Sequence, residues 1–288
     1  MLMLITGSAR LDTFKQSGES LAGRTLSWRL HPFTVKELAS LNAMSADEAL
    51  QRLLLRGGFP EPCLAATDTA AQRWRRNYLD GLVRDDILEV SRIHEVRTMR
   101  DFIEILRSRV GSPLSLASIS RDLSVSPITL KHYLSILEAL YIVFPVRPWH
   151  RNLGRATLQT PKAYFFDTGL VSGDAGARLE NLVACHLLCL VHWRQDALGH
   201  SAELHYLRTK DGTEVDFCIG DHHAEAATPE VMIEVKASDA KPHSALRAFS
   251  ERWPSSEPIQ LVSDLSVEQD VRGIKIRRAS DWLAQLDA

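Results

Sequence analysis

Four side chains in the C-terminal part of the chain, Glu180, Asp216, Glu234 and Lys236, carry its sharpest chemical signal. The stretch Glu214-Val-Asp-Phe-Cys-Ile219 reads as a strand. Its two-residue period sets Val215, Phe217 and Ile219 on one face and Glu214, Asp216 and Cys218 on the other. In Ile233-Glu-Val-Lys236 the same period turns Ile233 and Val235 to the core, and Glu234 and Lys236 away from it. Two carboxylates on neighbouring strands make a hard-oxygen site suited to Mg²⁺, so Asp216 and Glu234 are the candidate metal ligands. A lysine two residues beyond the second acid can hold or activate a water near a metal-bound phosphate. Glu180, near the start of a preceding helix, completes the catalytic set. An isolated E-x-K is ordinarily a solvated strand face. The ordered spacing, with seventeen residues between Asp216 and Glu234, is what distinguishes this one. The alternative is a non-catalytic interaction or regulatory module built on the same scaffold.

Other chemistries find less support. Cys185, Cys189 and His192 share one helix face, but no fourth ligand is evident, and thiols so placed ordinarily pack as small hydrophobes. No H-E-x-x-H and no G-x-S-x-G occurs. The four cysteines, Cys63, Cys185, Cys189 and Cys218, show no C-x-x-C and no disulfide-framework spacing, which points to a reducing cytoplasm. The apolar start MLMLI is too short for a signal peptide, and Leu182 to Val191 is too short to span a bilayer, so no membrane partner is expected.

The 288 residues carry a net charge of only −2, so no global field selects nucleic acid. Between Arg107 and Lys162, however, eight basic residues face two acids, which suggests a local polyanion-facing surface. The same region holds a helix-turn-helix pattern. Ser115 caps a short helix carrying Leu116, Ile119 and Leu123. Ser124-Val125 turns the chain, and Ser126 caps a second helix with Pro127 at its first position. Strands at Ile142 to Val146 and Lys162 to Phe166 follow, and helix-turn-helix plus hairpin defines a winged helix. Such a unit lays its second helix in the DNA major groove and its hairpin on the backbone. Lys131 and His132 on the helix, and Arg147, Arg151 and Arg155 on the wing (with His150), are the candidate nucleic-acid contacts. Double-stranded DNA is one expected partner, and a protein docking on the winged helix is the other.

The remaining elements position these groups. Helices are expected over Thr34 to Leu41, Ser45 to Leu55, Thr69 to Val90, Val96 to Val110, Leu179 to Trp193, His243 to Trp253 and after Ala279. Strands are expected at Met1 to Ile5, Leu26 to Leu30, Glu203 to Arg208, Glu214 to Ile219, Val231 to Lys236 and Ile259 to Val262.

The stretch Gly18-Glu-Ser-Leu-Ala-Gly-Arg-Thr25 imitates a phosphate loop with Arg24 where lysine belongs. A phosphate loop follows a buried strand and opens a helix, and this stretch does neither. It fits better within a longer series: Thr6, Gly7, Ser8, Gly23, Arg24, Pro32, Phe33, Thr34, Glu37 and Leu38, then GGFPEP, Arg84-Asp85-Asp86-Ile87, YFFDTGL, RLENLVACHL, GTEVDF and IEVK. These motifs, in order over nearly the whole chain, resemble an uncharacterised bacterial and archaeal AAA-type ATPase family whose C-terminal half is a domain of unknown function. The resemblance implies that Thr6, Ser8 and Arg24 are relics of a nucleotide sensor, with local capping and pairing as the plainer reading. It also implies that the phosphate loop and metal-binding acidic strand lie upstream of the sensor strand, so ATP is not expected to bind this chain. The order of Glu180, Asp216 and Glu234-x-Lys236 resembles the restriction-endonuclease-like, PD-(D/E)xK, fold. The expected architecture is multi-domain α/β: an ATPase-core remnant (residues 1–44), a helical connector (45–95), a winged helix (96–170) and a restriction-endonuclease-like α/β domain (171–288).

Overall fold

The computed structural model describes residues 26–41, 44–83, 96–149, 160–221 and 227–287. Thr6, Ser8, Arg24, the Gly18–Thr25 stretch, the first expected strand, Arg84 to Ile87, His150, Arg151 and Arg155 lie outside them.

Local sequence signals set the helices of the first half. Helix α1 spans Val35–Leu41 and α2 spans Ala46–Arg56. A capping box starts α2: Ser45 Oγ accepts from the Glu48 amide at 3.2 Å, and Glu48 Oε2 accepts from the Ser45 amide at 2.8 Å. Helix α3 (Pro60–Cys63) carries proline in its first turn, and Thr67 caps α4 (Asp68–Gly81) through the Ala70 amide. Helix α5 is Val96–Ser108. Helices α6 (Leu116–Leu123) and α7 (Pro127–Ala139) start at the serine caps Ser115 and Ser126, and Ser124 turns the chain between them in a left-handed conformation. Two antiparallel strands follow, β1 (Val143–Pro148) and β2 (Lys162–Phe165).

The second half alternates strands and helices: α8 (Ala175–Leu198), β3 (Glu203–Arg208), β4 (Glu214–Gly220), β5 (Val231–Lys236), α9 (Ser244–Arg252), β6 (Glu257–Val262), β7 (Gln269–Val271), β8 (Ile274–Arg278) and α10 (Ala279–Ala284). All eight strands join one mixed sheet in the order β2-β1-β3-β4-β5-β6-β8-β7. The β1–β2 hairpin is not a free flap: β1 pairs in parallel with β3, opposing Arg147 to His205 and Pro148 to Tyr206. The sheet therefore runs across residue 170. So does the larger apolar core, which combines Leu50 and Leu53 of α2, Phe102 of α5, Leu130 and Leu137 of α7, Leu182 of α8, and Phe217 and Ile233 of the sheet. A second core on the other side of the sheet gathers Val215, Cys218 and Met232 with Leu246 and Phe249 of α9. Among the described residues no helix is long and apolar enough to cross a membrane.

Three expectations need correction. Leu26 to Leu30 is not a strand: Leu26, Trp28 and Leu30 are 86%, 62% and 100% exposed, with no neighbouring strand to complete a ladder among the described residues. Arg29 instead ties this segment to α8, through Asp196 at 2.6 Å and Gln195 at 2.8 Å. The hairpin β7–β8 lies beyond the strands expected from the sequence. Its Arg272-Gly273 turn has both φ angles positive, +53° and +82°, a geometry that Asn-Gly signals far more loudly.

The third correction bears on the site. His205 of β3 opposes Cys218 of β4, but Leu207 opposes Val215, so Asp216 and Phe217 together stand across from Tyr206. One extra residue in β4 makes a bulge. Strict alternation, as expected from the sequence, would put Val215 and Phe217 in one core; they lie in different cores. The bulge breaks the parity and re-aims Asp216.

Candidate carboxylate site

Where β4 departs from β5, the last regular pair is Phe217 with Ile233. The Asp216 side chain bridges the gap beyond it, its Oδ2 accepting from the Val235 amide at 2.9 Å. Its Oδ1 lies 3.7 Å from Lys162 Nζ. Glu234, only 3% exposed, accepts from Lys236 Nζ at 2.6 Å through Oε1, and His243 Nδ1 stands 3.3 Å from the same oxygen. Glu234 Oε2 is buried without a hydrogen-bond partner among the described residues. Glu180 reaches in from α8, accepting from Tyr164 Oη at 2.6 Å and Lys162 Nζ at 3.3 Å.

The four residues singled out from the sequence are thus joined in one cluster. Three members were missed as participants. Lys162 belongs by sequence to the basic segment, but it is 1% exposed and bound to acids: Glu214 at 2.7 Å, Glu180 and Asp216. Tyr164 and Glu214 complete the ring, and Arg208 engages the second Glu214 oxygen. The legible clue was the period of KAYF: Lys162 shares a face with Tyr164 in a strand whose four residues are all buried.

Electrostatics follow from this burial. Asp216 is pushed above the usual carboxylate range, first by desolvation and then by the Glu234 charge, against the pull of Lys162. Burial also raises Glu234, although Lys236 opposes it, and burial followed by the Asp216 charge raises Glu180. Desolvation alone would drive Lys162 down, but Glu180, Asp216 and Glu214 more than reverse it, so its ammonium stays charged.

No three His, Cys, Asp or Glu side chains among the described residues are already grouped as a ligand set. The donors open to a cation are the pair Asp216 and Glu234. Their chemistry fits Mg²⁺, which binds through one or two carboxylates and keeps its remaining ligands as waters or phosphate oxygens. The orphaned Glu234 oxygen is a second point of fit.

Elsewhere, Lys131 and His132 are exposed on α7, and Arg147 is half-buried on β1. The Cys185 thiol donates to the Phe165 carbonyl at 3.1 Å; burial raises its pKa, and raises that of Cys189 to about 11. His192 pairs with His31 at 2.8 Å.

Two family matches cover most of this structure. Residues 47–180 match a domain of unknown function (DUF8612), and residues 175–271 match another (DUF4143). The uncharacterized protein Rv2008c of Mycobacterium tuberculosis is 33% identical over 222 residues, 75% of this chain and 49% of its own length. The uncharacterized protein MJ1544 of Methanocaldococcus jannaschii is 24% identical over 246 residues, 77% of this chain and 54% of its own. The chain therefore spans about half the length of the curated relatives it matches. No solved structure matches it.

Proposed function

We propose that this chain is a DNA-associated module with a Mg²⁺-dependent, nuclease-like site, belonging to the C-terminal region of an AAA-type ATPase-family protein. The observation that carries the site is the Asp216–Glu234 pair, a half-buried acid set against a buried one, with Glu234 Oε2 lacking a hydrogen-bond partner among the described residues and Lys236 alongside. Two acids that raise one another's pKa form a charge conflict that a bound divalent ion would relieve. Asp216 and Glu234 would hold the ion, and the Val235 amide fixes the Asp216 carboxylate. Bound there, Mg²⁺ supplies charge neutralisation at a phosphodiester and a more acidic water. Lys236 keeps a positive charge at the same strand end, because Glu234 outweighs the cost of its burial. Helices α6 and α7 with the β1–β2 hairpin fit a winged helix, and Lys131 and His132 leave its second helix open to phosphates. The AAA assignment rests on the ordered motif resemblance.

Glu234→Gln tests the site. The expected result is loss of Mg²⁺-dependent cleavage of duplex DNA and weaker Mg²⁺ binding, with the melting temperature retained. A second reading, a non-catalytic interaction module, has its own support: Lys162 and Lys236 already stand against the acids. It is favoured if the wild type cuts nothing with Mg²⁺ or Mn²⁺ and Glu234→Gln moves only the melting temperature.

A further inference from the structure

Lys162 reaches the carboxylates from β2, a strand that carries none of them. Its ammonium contacts Glu214 at 2.7 Å, Glu180 at 3.3 Å and Asp216 Oδ1 at 3.7 Å, and it lies 5.4 Å from the centre of the Tyr206 ring. A lysine this buried is tolerated only because it is compensated on every side. Asp216 Oδ2 already accepts from the Val235 amide, so Oδ1 is the less engaged oxygen for a cation. Any ion on Oδ1 would meet the Lys162 ammonium as a close neighbour of like charge. Lys236 differs: it is about one-third exposed and bound to Glu234.

The geometry points to Lys162 as a resident cation of the site, one that neutralises Glu180 and Asp216 in the metal-free protein and competes with a divalent ion for Asp216. This rests on the cation-site reading above and adds to it a threshold: metal binds only after overcoming the lysine. Lys162 is in this sense a positioning residue, acting on the site through Asp216.

The test is Mn²⁺ binding to the full chain, followed by the electron paramagnetic resonance of free Mn²⁺, alongside melting temperature. Lys162→Gln should bind Mn²⁺ at least about tenfold more tightly than the wild type, since a near like charge is gone. Its melting temperature should fall without metal and recover with Mn²⁺. Lys162→Arg, which keeps the charge, should bind Mn²⁺ like the wild type. If Asp216→Asn weakens Mn²⁺ binding but Lys162→Gln binds no more tightly than the wild type, the competition is wrong and the cation site stands. If neither the wild type nor Lys162→Gln binds Mn²⁺ in a manner sensitive to Asp216→Asn, both readings fall. A measurement that needs no variant to fold is a Mg²⁺ titration of the wild type with ¹³C-labelled lysine. The Lys162 ε-methylene resonance should shift at saturation, and a resonance that stays in place overturns the inference.

Discussion

Glu180 and Asn181 are neighbours on α8, yet they enter two buried polar regions of opposite character. Asn181, fully buried, uses every arm: Oδ1 accepts from the Phe165 amide at 2.8 Å, and Nδ2 donates to the Phe165 carbonyl at 3.0 Å and to Thr168 Oγ1 at 2.9 Å. Beside it, Asp167 accepts from the Gly58 amide at 2.6 Å and lies near Arg75, joining the GGFPEP turn to the sheet. Gly57 is required there, because at φ +79° a Cβ would lie 2.0 Å from Asp167 Oδ1. In this junction Asp167 Oδ1 accepts from the Gly58 and Phe59 amides and the charge nearby is the Arg75 cation, although Asp167 Oδ2 is buried without a hydrogen-bond partner among the described residues. Glu180 enters the other region, where Asp216 faces Glu234 as a like charge. Paired polar groups fasten the fold, whereas opposed ones hold energy that a ligand can release.

The largest effect should come from breaking the junction. Asn181→Ala strands the Phe165 amide and carbonyl and should cost roughly 2–4 kcal/mol, from two or three lost buried hydrogen bonds. Urea unfolding measures this. A cost under about 1 kcal/mol would mean that the junction is no more binding than the site.

Acid titration sharpens the contrast. His186 accepts from the Val35 amide at 2.9 Å through Nε2 and donates from Nδ1 to the Leu182 carbonyl at 2.8 Å, so it is held neutral, and burial lowers its pKa from 6.5 to about 4. Below pH 6.5 the unfolded chain takes up a proton that the fold refuses. Stability present above pH 6.5 is therefore lost as pH falls towards 4, by on the order of 2–3 kcal/mol. His31 and His192, lowered to about 4 and 3, act in the same direction.

Asp216 works in the opposite sense. Its raised pKa lets the fold bind a proton before the unfolded chain does, so acidification through that range favours folding. Asp216→Asn should then be more stable than the wild type near pH 8, an advantage that vanishes below about pH 4, where the wild-type carboxyl is protonated in both the folded and the unfolded chain. Paired denaturation curves across pH would show the two converging. Parallel curves would remove the charge conflict from the site.

The smallest expected effect is on the surface. Lys131→Ala and Arg147→Ala should each flatten the salt dependence of duplex DNA binding by about one unit in the log–log slope. Unchanged slopes in both would transfer the α6–α7 region to a protein partner.

Much of this could be read in the chain because its causes are local. Ser45, Ser115 and Ser126 announce their helices within four residues, and β3 and β5 span the residues expected from their apolar runs, Glu203–Arg208 and Val231–Lys236. Glu180, Asp216, Glu234 and Lys236 stood out by residue type and order. The tertiary structure decided what depends on a partner strand. Leu26 to Leu30 alternates like a strand but finds no ladder among the described residues, because pairing is a property of two segments. The bulge at Asp216 exists only relative to the register of β3, so no pattern within β4 alone reveals it. Lys162, fifty-four residues before Asp216, reads as one more surface base until β1 pairs with β3 and brings β2 onto the sheet that carries the acids. Local sequence chose the acids; the sheet's long-range pairing chose the cation that faces them.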